Sequence, residues 1–507
     1  MFVAAHEWMP PCEPAAHLAP PGKLPALHDG KMQALYDRLA HASPDAPARA
    51  EAHAFLHQAL QQVAHDECDL PESPHDLATW MYHSAQRASA KYRAYLEERK
   101  AGGPRHYFSN RAHALYFLRA VAPTKLVDGA WLSGLLAHRN NPRLAGLIAT
   151  YVEELGEGRA GKNHVLLYRR LMERYGLTLT LSPVTSLPDH LYAQGALQLA
   201  LGLGVADFLP EVIGFNLGYE QLPLHLLITA YELNELGIDP YYFTLHITVD
   251  NADTGHAQRA VQAVLDTLPR LAGSADFWRR IGNGSKLGNV GASTTQVIAG
   301  FDLAREVDTI FLRKRVTGFG AHSDYCRVAG RSVNDWLAHA ENMPGFLAAL
   351  QQGGWITRGA PVQESRFWKL LQGEKPEMFG VFSPCELQLI HDWIRGDASA
   401  DGQAYDESAG TAGRQRATYR AMKKMSLPQA SRAATGCLHV LNTEDGNDEK
   451  QEAGDVLDPD LQVLQAQLAA IDDPAQKMQL LLLAMSPALH WTPAGLYATR
   501  QFLRGTG

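Results

Sequence analysis

From Arg111 to about Arg270 the chain is a run of helix-length, Leu- and Ala-rich segments, and strand-like alternation is nearly absent. Stretches such as "RAHALYFLRAV", "PRLAGLIATYVEELGEG", "DHLYAQGALQLALGLG" and "PLHLLITAYELNELG" space their apolar residues three and four apart. That period lines one face of a helix, and helices in succession must bury those faces against each other. "LTLTLSPVT" is the main exception, and it is short. The pattern predicts an all-α core. "DPYYFTLHITVDNADTGHAQRAVQAVLDTL" reads as one helix within it.

The flanks organise around that core. Residues 1–30 are proline-rich and read as a surface wrap or tail, and 31–100 are helical in pattern. We divide the chain into an N-terminal helical extension (1–104), a helical core (105–300) and a C-terminal helical region (301–397). An acidic linker (398–460) and a closing helical pair (461–507) follow. With 507 residues, 46% of them hydrophobic, the chain has ample material for a packed interior. The net charge of −8 provides no basic footprint for nucleic acid. No apolar run reaches the roughly 18 residues of a membrane span, and the first residues lack the layout of a signal peptide. Five scattered cysteines without a CxxC pair suit a reducing, cytoplasmic setting.

Four polar clusters interrupt the apolar text. "HITVDNADTGH" holds His246, Asp250, Asp253 and His256 within eleven residues. At about 100° per residue, the first three share a face roughly 60° wide, with His256 some 80° away from His246 unless the helix is locally rewound. In "EELGEGRAGKNH", Gly156, Gly158 and Gly161 break the path between Glu154 and His164, so a kink or loop can turn both side chains toward one point. Glu220 sits in an apolar stretch just before Pro223, where a lone carboxylate is costly to bury without a cation. Glu211 follows Pro210 at what reads as a helix start, and Asp128 opens "DGAWLSGLL" as either an N-cap or a ligand. Carboxylates with two or three imidazoles suit iron or manganese better than thiolate-loving zinc or copper(I). The single Glu-x-x-His, Glu72 to His75, is interrupted by Pro74, which disfavours a ferritin-like arrangement.

The order and spacing of these clusters over about residues 105–270 resemble the haem-oxygenase-like di-iron oxidases and oxygenases, the iron-containing redox enzymes. The resemblance rests on "EELGEGRAGKNH", on Glu220 in "YEQLP", and on His246 and Asp250 in "HITVDNAD". It departs at the last ligand: the family has a histidine where this chain has Asp253, and His256 follows three residues later. The resemblance implies a bundle of about seven helices holding two Fe(II) ions that activate O2 as co-substrate. One ion would take Glu154, His164, Glu220 and His256 (or Asp253). The other would take Asp128, Glu154, His246 and Asp250, with Glu154 bridging. It further implies oxidation of a small amino-acid- or fatty-acid-like molecule by N-oxygenation, desaturation or oxidative C–C cleavage.

The competing readings are a non-enzymatic helical interaction protein, in which the polar residues are unrelated caps and surface positions, and a haem-degrading oxygenase. The second needs one axial histidine and has no use for the carboxylates. The expected partners are a small-molecule substrate and a second copy in a homodimer, with neither nucleic acid nor membrane.

Overall fold

The computed structural model describes residues 30–177, 187–249, 255–396 and 458–506. Asp250, Asp253, the proline-rich start, most of "LTLTLSPVT" and nearly all of the acidic linker therefore lie outside the described residues. What is described is helical, as the spacing predicts. The β structure among the described residues is one short antiparallel pair, Arg327–Val328 with Arg331–Ser332. No helix among them is long and apolar enough to cross a membrane.

Among the described residues two large apolar cores hold the fold, with a small third cluster at Tyr95, Ile228 and Tyr231. The larger one joins Leu35 and Leu56 of the N-terminal helices to Leu118, Tyr151, Val212 and Val264 of the central ones. Leu464 and Phe502 of the C-terminal helices enter the same core, although some two hundred residues of sequence separate them from Val264. The smaller core gathers Val307, Ile310, Leu350, Trp368 and Ile390 from the region after residue 300. The helix Arg111–Ala120 joins the two, with Ala112 in the smaller core and Leu115 in the larger; Asp392 accepts from the Ala112 backbone at 2.9 Å, and Arg119 pairs with Glu306 at 2.6 Å.

Three local expectations change. The stretch read as one helix from Tyr241 is two, Tyr241–Val249 and His256–Thr267, and Gly255 caps the second in extended geometry. Residues 250–254 between them lie outside the described residues. "DGAWLSGLLAHR" winds as a 3-10 helix over Ala130–His138. Pro210 does not open a helix. It lies inside Val205–Tyr219, next to a break in helical geometry at Phe208 (φ −116°, ψ 25°) that accommodates the missing N–H.

The helix Val205–Tyr219 crosses Ser274–Lys286 at unusually close range, through Gly214 against the Ile281 carbonyl and Gly284 against the Glu211 carbonyl. A Cβ at either glycine would overlap the facing carbonyl oxygen. Glu211, at this crossing, forms a two-pronged ion pair with Arg280 at 2.6 and 2.7 Å. This pairing answers for the burial of Glu211.

Candidate metal centre

Asp128 and His246 meet in the protein interior. His246 Nδ1 lies 2.8 Å from the Tyr242 carbonyl one turn back and donates its proton there, since a carbonyl can only accept. The other nitrogen, Nε2, then presents a lone pair to Asp128 Oδ2 at 3.0 Å. Two acceptors facing each other in a buried site require a cation between or beside them, either a proton or a metal. A histidine whose far nitrogen donates to a backbone carbonyl is oriented the way metal ligands usually are. The Tyr242 hydroxyl donates to the same Asp128 oxygen at 2.5 Å, and Lys125 Nζ stands 4.0 Å from it. Burial works against the Asp128 carboxylate, but Lys125 and His246 hold it below the usual range. Asp128 does not cap the helix that follows it. Gly129 stands at that cap, and no side chain bonds there.

Glu154 ends the helix Ala145–Glu154, and His164 opens His164–Arg174. Between them the backbone runs through three successive left-handed residues: Gly156 (φ 63°), Glu157 (φ 56°) and Gly158 (φ 80°). This turn is the kink that the glycines predict, and at Glu157 a side chain sits in a backbone region that disfavours it. Asn163 caps the second helix by accepting from Leu166 N at 2.9 Å. Glu154 Oε2 and His164 Nδ1 come within 2.5 Å, yet they miss hydrogen-bonding geometry, so neither atom gains a true partner.

His256 completes the cluster. Its Nδ1 lies 3.2 Å from Glu220 Oε2 and 3.3 Å from Glu154 Oε1, while Nε2 lies 3.0 Å from Glu153 Oε2. Carboxylates on both nitrogens make this ring an imidazolium here. Burial alone would lower its pKa, but Glu220, Glu153 and Glu154 together raise it far above the ordinary value. Glu153 is itself clamped by Arg259 at 2.5 and 2.8 Å. Although burial opposes it, His256 and Arg259 hold the Glu153 carboxyl down to about 2.

The donors fall into two overlapping groups: Asp128, Glu154, His164 and His246, and Glu154, Glu220 and His256. Within each, one donor atom per residue lies within 4.8 Å of the others, and all six residues are buried. Asp128 Oδ1, Glu154 Oε2, Glu220 Oε1 and His164 Nδ1 are buried without a hydrogen-bond partner. The carboxylate oxygens Asp128 Oδ1 and Glu220 Oε1, stranded beside the tight Glu154–His164 contact, fit a bound cation, because a buried acceptor left unpaired otherwise costs roughly 1–3 kcal/mol. The oxygen-rich donor set suits iron.

The structure thus brings together Asp128, Glu154, His164, Glu220, His246 and His256. It sorts His164 with Asp128 and His246, not with Glu220 and His256 as the resemblance implies. Asp250 and Asp253, the other two candidates, lie outside the described residues. Glu153, Arg259, Tyr242 and Lys125 are contributors that the sequence reading passed over. Of these only Glu153, adjacent to Glu154, carried any signal. His225 remains outside the groups; burial and then nearby Lys125 push its pKa down to about 4.

A helical bundle with a buried carboxylate–imidazole cluster fits a metal-dependent oxidase. Residues 115–288, about a third of the chain, match the model of the iron-containing redox enzyme family, and that stretch contains every residue of both donor groups. Neither the curated proteins nor the solved structures contain a match to this chain.

Proposed function

We propose that the protein is a non-haem di-iron oxidase or oxygenase that uses O2 to oxidise a small amino-acid- or fatty-acid-like metabolite. The observation that carries this reading is Glu154, the one residue common to both donor groups. A carboxylate has an oxygen for each of two ions, so a shared glutamate is what a dinuclear centre needs. In this reading Asp128, Glu154, His164 and His246 would hold one ferrous ion, and Glu154, Glu220 and His256 would hold the other; the chemistry such iron would supply is the reduction of O2 for oxidation of the substrate.

The surrounding residues set the donors. Tyr242 fixes His246 through its carbonyl and Asp128 through its hydroxyl. Glu153, anchored by Arg259, keeps a proton on His256 Nε2. The proton on Nδ1, which faces Glu154 and Glu220, is the one a cation must displace. The alternative of a plain interaction protein leaves the stranded acceptors uncompensated, so this reading is the stronger one.

The test is an anaerobic ferrous titration, then mixing with O2 under stopped-flow absorption, with Glu154→Ala as control. Uptake of about two irons and a transient visible band, both lost in the variant, supports the proposal. No specific uptake, or uptake unaffected by Glu154→Ala, refutes it.

A further inference from the structure

The C-terminal helices lie outside the family-like stretch, yet they press on its most strained turn. Arg500 donates to the Gly158 carbonyl at 2.6 Å, and a Cβ at Gly158 would come within 2.5 Å of the Leu496 carbonyl. Tyr151, one turn before Glu154, donates to the Met485 carbonyl at 2.8 Å. The Arg169 guanidinium stacks 3.7 Å over the Trp491 ring. Between these contacts sits His490, 1% exposed, with Nδ1 3.1 Å from Asn163 Nδ2.

The orientation of that contact is fixed. Asn163 Oδ1 is occupied as the cap acceptor for Leu166 N, so its amide nitrogen faces His490 and donates. His490 Nδ1 must therefore be the bare nitrogen of a neutral ring. The two protons of the Asn163 amide are shared among His490 Nδ1 and the carbonyls of Leu155 and His490 at 3.1 and 3.3 Å, which ties the turn to the C-terminal segment. His164 is the next residue in the chain and takes its direction from this cap.

We propose that His490 is a positioning residue of the metal centre, holding the His164 arm through Asn163, so that the C-terminal helices are a working part of the site. This rests on the metal reading above. Burial, followed by the charge of Arg169, keeps the ring neutral, with its pKa down to about 3. A neutral ring is what an acceptor for the Asn163 amide requires.

The experiment compares ferrous affinity and Mössbauer spectra of the full chain with those of His490→Ala and His490→Asn, with melting curves alongside. Residues that orient ligands typically change metal affinity ~10–100-fold. His490→Ala is expected to weaken iron binding by that factor and change the spectrum. His490→Asn, whose amide oxygen can stand where Nδ1 stood, is expected to restore both. If His490→Ala does not fold, Asn against His490→Gln carries the test, because Gln extends its amide toward the Nε2 side. Asn near wild type with Gln weakened supports the role, and equal affinities overturn it. Wild-type affinity and spectrum in His490→Ala also overturn it and leave the di-iron reading standing. A wild-type chain that binds no iron removes both.

Discussion

His490 makes the apo protein acid-sensitive between pH 6.5 and 3. Its folded pKa is about 3 against an ordinary 6.5. Above pH 6.5 the ring is neutral in both folded and unfolded chains and has no effect. As pH falls from 6.5 toward 3, the unfolded chain takes up a proton that the folded chain refuses, so stability is lost throughout that interval. At about 1.4 kcal/mol per unit the full loss is on the order of 5 kcal/mol, of which roughly 2 kcal/mol is gone by pH 5. His113, His190 and His225 are also depressed and add to the loss. His164 and His256 are raised, so their contribution is already complete below pH 6.5. All of these are common to wild type and His490→Asn, which keeps the acceptor but cannot titrate. The assay is therefore a difference: apo melting temperature from pH 7 to 5 in both proteins. The wild type should lose about 2 kcal/mol more than the variant, a gap of about 2 °C for a chain of this length. Parallel profiles would refute the buried, neutral assignment.

Glu220→Ala reduces one donor group to two residues and leaves the other with four, so iron uptake measured by anaerobic titration should fall from about two to about one. Glu232 is buried and accepts from the Tyr95 hydroxyl and the backbone nitrogens of His106, Tyr107 and Phe108 at 2.6–3.0 Å. Glu232→Gln puts a donor against donors and should cost roughly 3–5 kcal/mol in urea unfolding, with a loss under about 1 counting against the argument. Gly214→Ala wedges apart the helix crossing at the Ile281 carbonyl. It should cost about 1–3 kcal/mol or more in stability, read from the melting curve. Because Glu220 ends the same helix, ferrous titration should show weaker uptake at its donor group first.

Helix-forming text made the architecture legible, because periodicity reports burial directly. The Glu154–His164 turn was legible for a related reason: glycines that cost helix stability mark where a chain must bend. The helix start at His256 was only half legible, because the Gly255 that caps it can equally sit within a helix. The sorting of His164 toward Asp128 was not legible, since it depends on how three helices cross. Glu211 looked like a dipole-favoured helix start, and its partner Arg280, 69 residues away, could not be seen from its neighbours. Tyr242 and His490 escaped for the same reason. One acts through a backbone carbonyl, and the other through an asparagine that reads as a plain cap.

The contact between Asn163 and His490 spans 327 residues of sequence. At about 10 residues per second of synthesis, Asn163 waits roughly half a minute for its partner to be made. Six ligand-bearing positions emerge early, in chain order from Asp128 to His256, while the support for His164 comes last. Iron that arrives during translation meets an incompletely supported pocket, so full loading belongs to the finished chain.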